Sequence, residues 1–407
     1  MKILMVNKFF YIKGGSETYY FTLKELLERK GHEVIGFSMQ DEKNFESRYS
    51  NFFVNNIDYN AKQNILQKMK EGLKIIYSFE AKKKFEKLIK ETNPDIIHLH
   101  IFQHQISSSI IDVATKYKIP IVYTAHDLKA LCPNYKMLNK NQICERCKGG
   151  KFFNCTKYKC IKDSTIKSFI GTLEAQFCKF KNTYNKISYI ITPSEFYRNK
   201  FIEFGYNPQK IISIPNCLNE ETIDHDILQN QNYFLYFGRL SEEKGILTLI
   251  KAVEKNNLPL KIVGTGPLKE EIERYIKVKN LTNVELLGFK SGRELYTIVG
   301  NAKAVVIPSE WYENGPYSAI EALKLGRPLI GSDLGGIPEL IEDKKNGFIF
   351  RHTDIDDLRR CIDKIEDLDN NIILKMQEES KKIFFKKYTD KMHYDKIIKI
   401  YTKLLKV

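Results

Sequence analysis

Two stretches of this chain repeat one rhythm: a short run of apolar and β-branched residues, a turn marked by glycine or proline, then a longer segment with apolar residues at helical spacing. In the first stretch the runs are KILMVNKFF, HEVIGFSM, PDIIHLH, IPIVYTAHD, ISYIIT and KIISIPN. In the second they are YFLYFGR, LPLKIVGTG, NVELLGF, AKAVVIPS, RPLIGSD and GFIF. Strands alternating with helical segments imply parallel sheets covered by helices on both faces. The predicted fold is therefore α/β, two tandem doubly wound Rossmann-like domains, with ligands expected at the carboxyl ends of the strands in the cleft the two sheets leave.

A length of 407 residues suits two domains of similar size. Residues 1–217 form the first predicted domain, interrupted at about 132–165 by a Cys-, Lys- and Asn-rich insertion without clear period. The polar, acidic segment 218–231 reads as a linker, 232–385 as the second domain, and 386–407 as a terminal helix. The formal charge of +15 points to an anionic partner: nucleic acid, an acidic membrane surface or a phosphorylated substrate. MKILMVNKFF reads as a first buried strand and not as an export sequence. No run approaches the roughly 18 apolar residues of a membrane-spanning helix. The expected location is the cytoplasm, in solution or peripheral on the inner face of the membrane.

Chemistry concentrates in the second half. In FGRLSEEKG a strand ends at Phe237, Gly238 turns the chain, and Arg239 and Lys244 follow within a loop. A guanidinium fork and an ammonium this close suit a diphosphate; the alternative is two solvated cations. Gly264 and Gly266 in GTGP allow close backbone approach by a ligand, a weak signal alone. PSEWYENGPYSAIEALKLGRP is more informative. Its helix begins near Pro316, so the backbone of Asn314, Gly315, Pro316, Tyr317 and Ser318 offers an anion site at a helix N-terminus. Glu313 just before the helix suits the hydroxyls of a sugar, and Glu321 within it those of a ribose.

Arg239, Lys244 and the pair Glu313 and Glu321, with seven residues between them, resemble glycosyltransferase family 4. The resemblance covers nearly the whole chain and implies the GT-B fold, with the last helix crossing back onto the first domain. GGSE at Gly14–Glu17 is similar to the family's Gly-rich loop, so the resemblance places Gly14 and Gly15 near the donor phosphates and the acceptor. AHD at Ala125–Asp127 is similar to its strand-end histidine, which makes His126 a contact of the donor sugar. IPN at Ile214–Asn216 matches the segment before the domain crossover.

Three further features remain. Of eight cysteines, five lie between Cys132 and Cys160. Cys144, Cys147, Cys155 and Cys160 are expected to hold a structural zinc, with reduced thiols as the main alternative. His98 and His100 are expected on opposite faces of their strand, as core or rim residues. The lysine-rich, helical-period segment 61–90 is either a solvated helix face or a basic surface for anionic lipid.

The resemblance implies transfer of a sugar, with retention of anomeric configuration, from a nucleoside-diphosphate-sugar, UDP- or GDP-linked, to an acceptor hydroxyl. The acceptor would be a glycan or lipid-linked glycan of bacterial surface polysaccharide assembly. Protein cations are expected in place of a catalytic divalent metal, and nucleic acid is not an expected partner. The competing readings are a sugar-nucleotide epimerase on the same fold and a zinc-containing nucleic-acid-binding protein.

Overall fold

The computed structural model describes residues 1–56, 72–220 and 232–406. Residues 61–71 of the lysine-rich segment and 221–231 of the expected linker lie outside the described residues. The chain divides into two compact units. The first comprises Met1–Lys140, Cys144–Ile214 and His393–Val407, the second Asn141–Ile143 and Pro215–Met392.

The first unit is built on six parallel strands: β1 (Lys2–Val6), β2 (Glu33–Phe37), β3 (Ile96–Leu99), β4 (Ile121–Thr124), β5 (Tyr189–Thr192) and β6 (Ile211–Ser213), in the order β2-β1-β3-β4-β5-β6. β1 pairs with both β2 and β3, Ile3 lying opposite Val34 and Ile96. Its Ile3, Leu4, Met5 and Val6 are wholly buried, as two-sided cover by helices requires. Helix α1 (Gly15–Arg29) buries Tyr19, Tyr20, Leu23, Leu26 and Leu27, one face at helical spacing. Helix α2 (Phe79–Thr92) is capped by Ser78, whose hydroxyl accepts from the Ala81 amide, and ends at Asn93 in the left-handed region. Helices α3 (Ser109–Lys116), α4 (Thr165–Phe180) and α5 (Glu195–Glu203) follow.

The second unit repeats the plan with β7 (Phe234–Phe237), β8 (Leu260–Val263), β9 (Val284–Gly288), β10 (Ala304–Ile307), β11 (Leu329–Ser332) and β12 (Gly347–Phe350), in the order β9-β8-β7-β10-β11-β12. Its helices are α6 (Ile246–Glu254), α7 (Lys269–Val278), α8 (Gly292–Asn301), α9 (Tyr317–Lys324), α10 (Ile355–Glu366) and α11 (Asn370–Lys387). Two buried clusters fill its faces, one around Phe234, Ile250 and Ile362, the other around Leu235, Ile320 and Phe384.

Helix α12 (Asp390–Leu405) returns to the first unit, where Tyr401 is fully buried and its hydroxyl meets His98 Nδ1 at 2.6 Å. In both sheets the first strand has its successors on either side, and this reversal is where open α/β sheets bind ligands. In the first unit it falls between β1 and β3, in the second between β7 and β10. Among the described residues no helix is long and apolar enough to cross a membrane.

Candidate active site

In the second unit the reversal point gathers residues from two loops. After β7 the chain passes Gly238 and the exposed Arg239, whose carbonyl accepts from the Tyr236 hydroxyl at 2.8 Å. Lys244 ends the short turn that follows. After β10 the chain runs through Ser309 to Glu313. Because β7 and β10 are neighbours, Lys244 and Glu313 meet: Nζ lies 2.5 Å from Oε1. Ser309 Oγ donates to the same carboxylate oxygen at 2.7 Å. The Glu313 side chain is only 5% exposed and Lys244 23% exposed, so a fixed carboxylate carries a cation that reaches water. Lys244 also stands over the Trp311 ring, 5.3 Å from its centre.

The backbone of Glu313 is fixed from the far side. Gly335 has φ of +64°, and a Cβ there would lie 2.4 Å from both the amide nitrogen and the carbonyl oxygen of Glu313. The next amide, of Gly336, donates to that carbonyl at 2.7 Å. Only glycine lets the loop after β11 press this close.

Helix α9 then starts at Tyr317 with Pro316 as its N-cap, next to Asn314 and Gly315. Asn216 Nδ2 donates to the Gly315 carbonyl at 2.8 Å and holds the loop that opens the helix. The amides of Tyr317 and Ser318 lie in the first turn, where the helix dipole favours an anion. Glu321, one turn on, is partly buried, and loss of water raises its carboxyl to about 7, with Lys324 pulling it back.

Gly264 and Gly266 have a different first job from the expected ligand approach. A Cβ at Gly264 would lie 1.8 Å from the Gly238 carbonyl oxygen, and one at Gly266 2.2 Å from that of Leu240. Their missing side chains let the loop after β8 pack on the loop after β7, backbone to backbone.

In the first unit the ends of β1 and β3 at the reversal point carry Asn7 and His100, and the end of β4 beside them carries His126. Asn7 Oδ1 accepts from the Ile101 amide at 3.1 Å, and Nδ2 donates to the Phe9 carbonyl at 2.8 Å. Gly14 caps α1 and Gly15 opens it. Glu17 in the first turn is buried, which raises its carboxyl against hydrogen bonds from Ser16 and Asn7. His126 Nε2 lies 3.1 Å from His100 Nδ1, and the Tyr19 ring meets the His126 ring edge-on at 4.8 Å. Burial lowers His98 and His126 to about 3 and takes His100 well down too, so all three are neutral. His98 and His100 share one face, contrary to the expectation of opposite faces. Residues two apart on a strand point the same way, and their rings lie 4.4 Å apart.

The structure does not support the zinc expectation. Among the described residues no group of three or more His, Cys, Asp or Glu side chains is arranged to hold a metal ion. Cys132, Cys147, Cys155 and Cys160 are free thiols close enough to shift one another: the neighbouring Cys147 and burial push the Cys132 thiol up, and the neighbouring Cys155 and burial do the same to Cys160. Cys144, expected as a ligand, sits at 4.0 Å from Arg146 Nη1, its amide bound to the Met137 carbonyl. Cys132, from outside the expected set, is thus among the neighbours of Cys147. Ser309 and Trp311 are residues the motif reading did not single out. Only the Ser309–Glu313 spacing hinted at a contact, and it has meaning only once the loop is folded.

A family model described as Glycosyltransferase Family 4 matches residues 13–222, and one described as Glycosyl transferases group 1 matches residues 219–386. Over 404 residues the chain is 25% identical to an uncharacterised glycosyltransferase of Methanocaldococcus jannaschii, with 99% of each chain covered. It is 28% identical over 209 residues to O-antigen chain mannosyltransferase C of Escherichia coli, covering 48% of this chain and 55% of that one. Among solved structures, Anabaena HepE in complex with UDP and glucose is similar at a TM-score of 0.67 and 18% identity, covering 99% of this chain and 100% of that one.

Proposed function

Because the chain belongs to glycosyltransferase family 4, and is a glycosyltransferase of the GT-B type, we propose that it moves a sugar from a nucleoside-diphosphate-sugar to an acceptor hydroxyl with retention. The observation that carries this reading is the Lys244–Glu313 pair, braced by Ser309 and Gly335 beside the N-terminus of α9. In this reading the diphosphate lies at the amides of Tyr317 and Ser318, with Arg239 and Lys244 as its cations. Glu313 accepts hydrogen bonds from the transferred sugar, Glu321 from the ribose, and His126 contacts the sugar.

The reaction breaks the bond between the anomeric carbon and the phosphate oxygen and forms one from that carbon to the acceptor oxygen on the same face. The acceptor proton passes to the departing phosphate oxygen, as the family resemblance implies. Charge growing on that oxygen is met by Arg239, Lys244 and the helix N-terminus, which are in place before reaction. Protein cations take this charge, with no divalent metal in the reading.

The donor is a UDP- or GDP-sugar. HepE was solved with UDP and glucose, and the Escherichia coli relative is a mannosyltransferase of the O-antigen chain by name. The acceptor is a glycan, lipid-linked, met at an anionic membrane surface from the cytoplasmic side. Helix α2 supports that placement: it carries Lys82, Lys83, Lys87 and Lys90 and begins at Phe79, which is 75% exposed. Thermal shift with UDP, GDP, ADP, TDP and CMP tests the donor. A nucleotide at 100 times its Kd adds about 2.7 kcal/mol of stability. No shift with any of them would overturn the reading.

A further inference from the structure

The contact between His100 and His126 carries more information than its length. His100 sits among the rings of Tyr19, Tyr20 and His98, with centres 5.7, 5.2 and 4.4 Å from its own. Its Nδ1 faces His126 Nε2, while its Nε2 is enclosed without a hydrogen-bonding partner. Both rings are neutral, and a neutral imidazole has one N–H and one bare nitrogen. Two proton arrangements fit the contact. If His126 Nε2 donates, His100 must carry its own hydrogen on the enclosed Nε2. That leaves a buried N–H orphaned, which folded proteins avoid more strictly than a bare acceptor. If His100 Nδ1 donates, the enclosed nitrogen is only a lone pair.

We infer that His100 is a positioning residue: it donates from Nδ1 to His126 Nε2 and so fixes His126 as the Nδ1–H tautomer, a hydrogen-bond donor to whatever it meets. His98 steadies the arrangement. Its Nδ1 and Nε2 are engaged by the hydroxyls of Tyr401 at 2.6 Å and Thr124 at 2.8 Å, and its ring backs that of His100. The identity of the group at His126 Nδ1 rests on the glycosyl-transfer reading. There it is an acceptor, a hydroxyl oxygen of the donor sugar. The tautomer does not rest on that reading.

The test uses the full chain labelled with 15N in histidine, with His126→Gln assigning the signals. Long-range 1H–15N correlation at neutral pH should show His126 protonated at Nδ1 and bare at Nε2. The Nε2–H pattern would overturn the inference. His100→Phe should release the tautomer toward a mixture and lower kcat/KM by about 10–100-fold, the range seen when the outer partner of a ligating histidine is removed. His100→Asn, whose side-chain amide keeps a donor near the Nδ1 position, should restore the Nδ1–H pattern and most of the activity. A folded His100→Phe protein with an unchanged His126 pattern would also overturn the inference. If the Phe variant does not fold, the wild-type and Asn spectra decide. Should the tautomer stand while His126→Gln transfers sugar normally, the assignment of His126 to the sugar fails and the tautomer survives.

Discussion

Lys244 and Glu313 are 69 positions apart in sequence and 2.5 Å apart in space, because the loops that carry them leave neighbouring strands. The enclosed partner is the carboxylate, so the two single substitutions are not equivalent.

Removing the cation strands the anion. Lys244→Met leaves the Glu313 carboxylate with the hydrogen bond from Ser309. The expected cost is about 1–3 kcal/mol, part of which Glu313→Gln in the same chain should return. Urea unfolding of both single variants and the double variant measures it, and strict additivity would show that the contact carries no coupling. In turnover, Arg239→Ala and Glu313→Ala should each lose about 10²–10³ in kcat. Folded variants of both with wild-type turnover would remove the proposed site.

Glu321 makes stability depend on pH in a stated direction. Its carboxyl rises from 4.5 to about 7 on burial, so the folded protein keeps a proton that the unfolded chain has lost between those values. The stabilising effect of this group is complete below about pH 4.5 and is lost as pH rises through about 7. The Tm of Glu321→Gln relative to wild type should therefore improve from about pH 5 to about pH 8. If the ribose is held by the carboxylate, donor KM for the wild type should rise as pH falls below about 7, and the Gln variant should lack this slope. Parallel Tm profiles would show that Glu321 does not titrate in that window.

Gly335 and Gly31 both hold positive φ, but their surroundings differ. A Cβ at Gly31 meets nothing within 4 Å, whereas one at Gly335 would lie 2.4 Å from the Glu313 backbone. Gly31→Ala should cost about 1–2 kcal/mol of backbone strain and leave kcat unchanged. Gly335→Ala should cost more and also displace Glu313, with loss of turnover. Equal effects of the two on kcat would contradict a bracing role for Gly335.

Burial ranks the cysteines. Cys155 is wholly buried beside Cys160, so Cys155→Ser should cost about 1–3 kcal/mol. Cys144→Ser should stay within about 0.5 kcal/mol. If Cys144→Ser proves the more damaging in thermal unfolding, burial does not set the order of these thiols.

Exchanging Lys82, Lys83, Lys87 and Lys90 for glutamate should abolish sedimentation with acidic vesicles while the nucleotide thermal shift persists. Wild-type binding should weaken with salt, since the Debye length is about 8 Å at 0.15 M. Unchanged sedimentation of the variant would return α2 to an ordinary solvated face.

The sheets were readable because parallel strands buried on both faces appear as unbroken apolar runs. Each quoted run contains the strand it predicted. The side-chain partners were less readable. Lys244 and Glu313 were each singled out, but their contact depends on which strands are neighbours. The approach of Cys132 to Cys147 depends on irregular chain, where Met137 and Lys140 take left-handed backbone that no period announces. His98 and His100 illustrate a misapplied rule: strand alternation itself puts residues two apart on one face. His100 follows the Leu99–Tyr123 pair and reaches His126 just past the end of the neighbouring strand, a register visible only in the folded sheet.

The return of α12 to the first unit bears on how the protein is made. Tyr401 closes over His98, and His393 meets the Tyr19 hydroxyl at 3.0 Å, yet both are synthesised after the whole of the second unit. The unit that leaves the ribosome first is therefore the last to be completed. Until then its histidine cluster lacks the partners that α12 supplies, and a nascent chain stalled before residue 393 should display an unfinished first unit beside a finished second one.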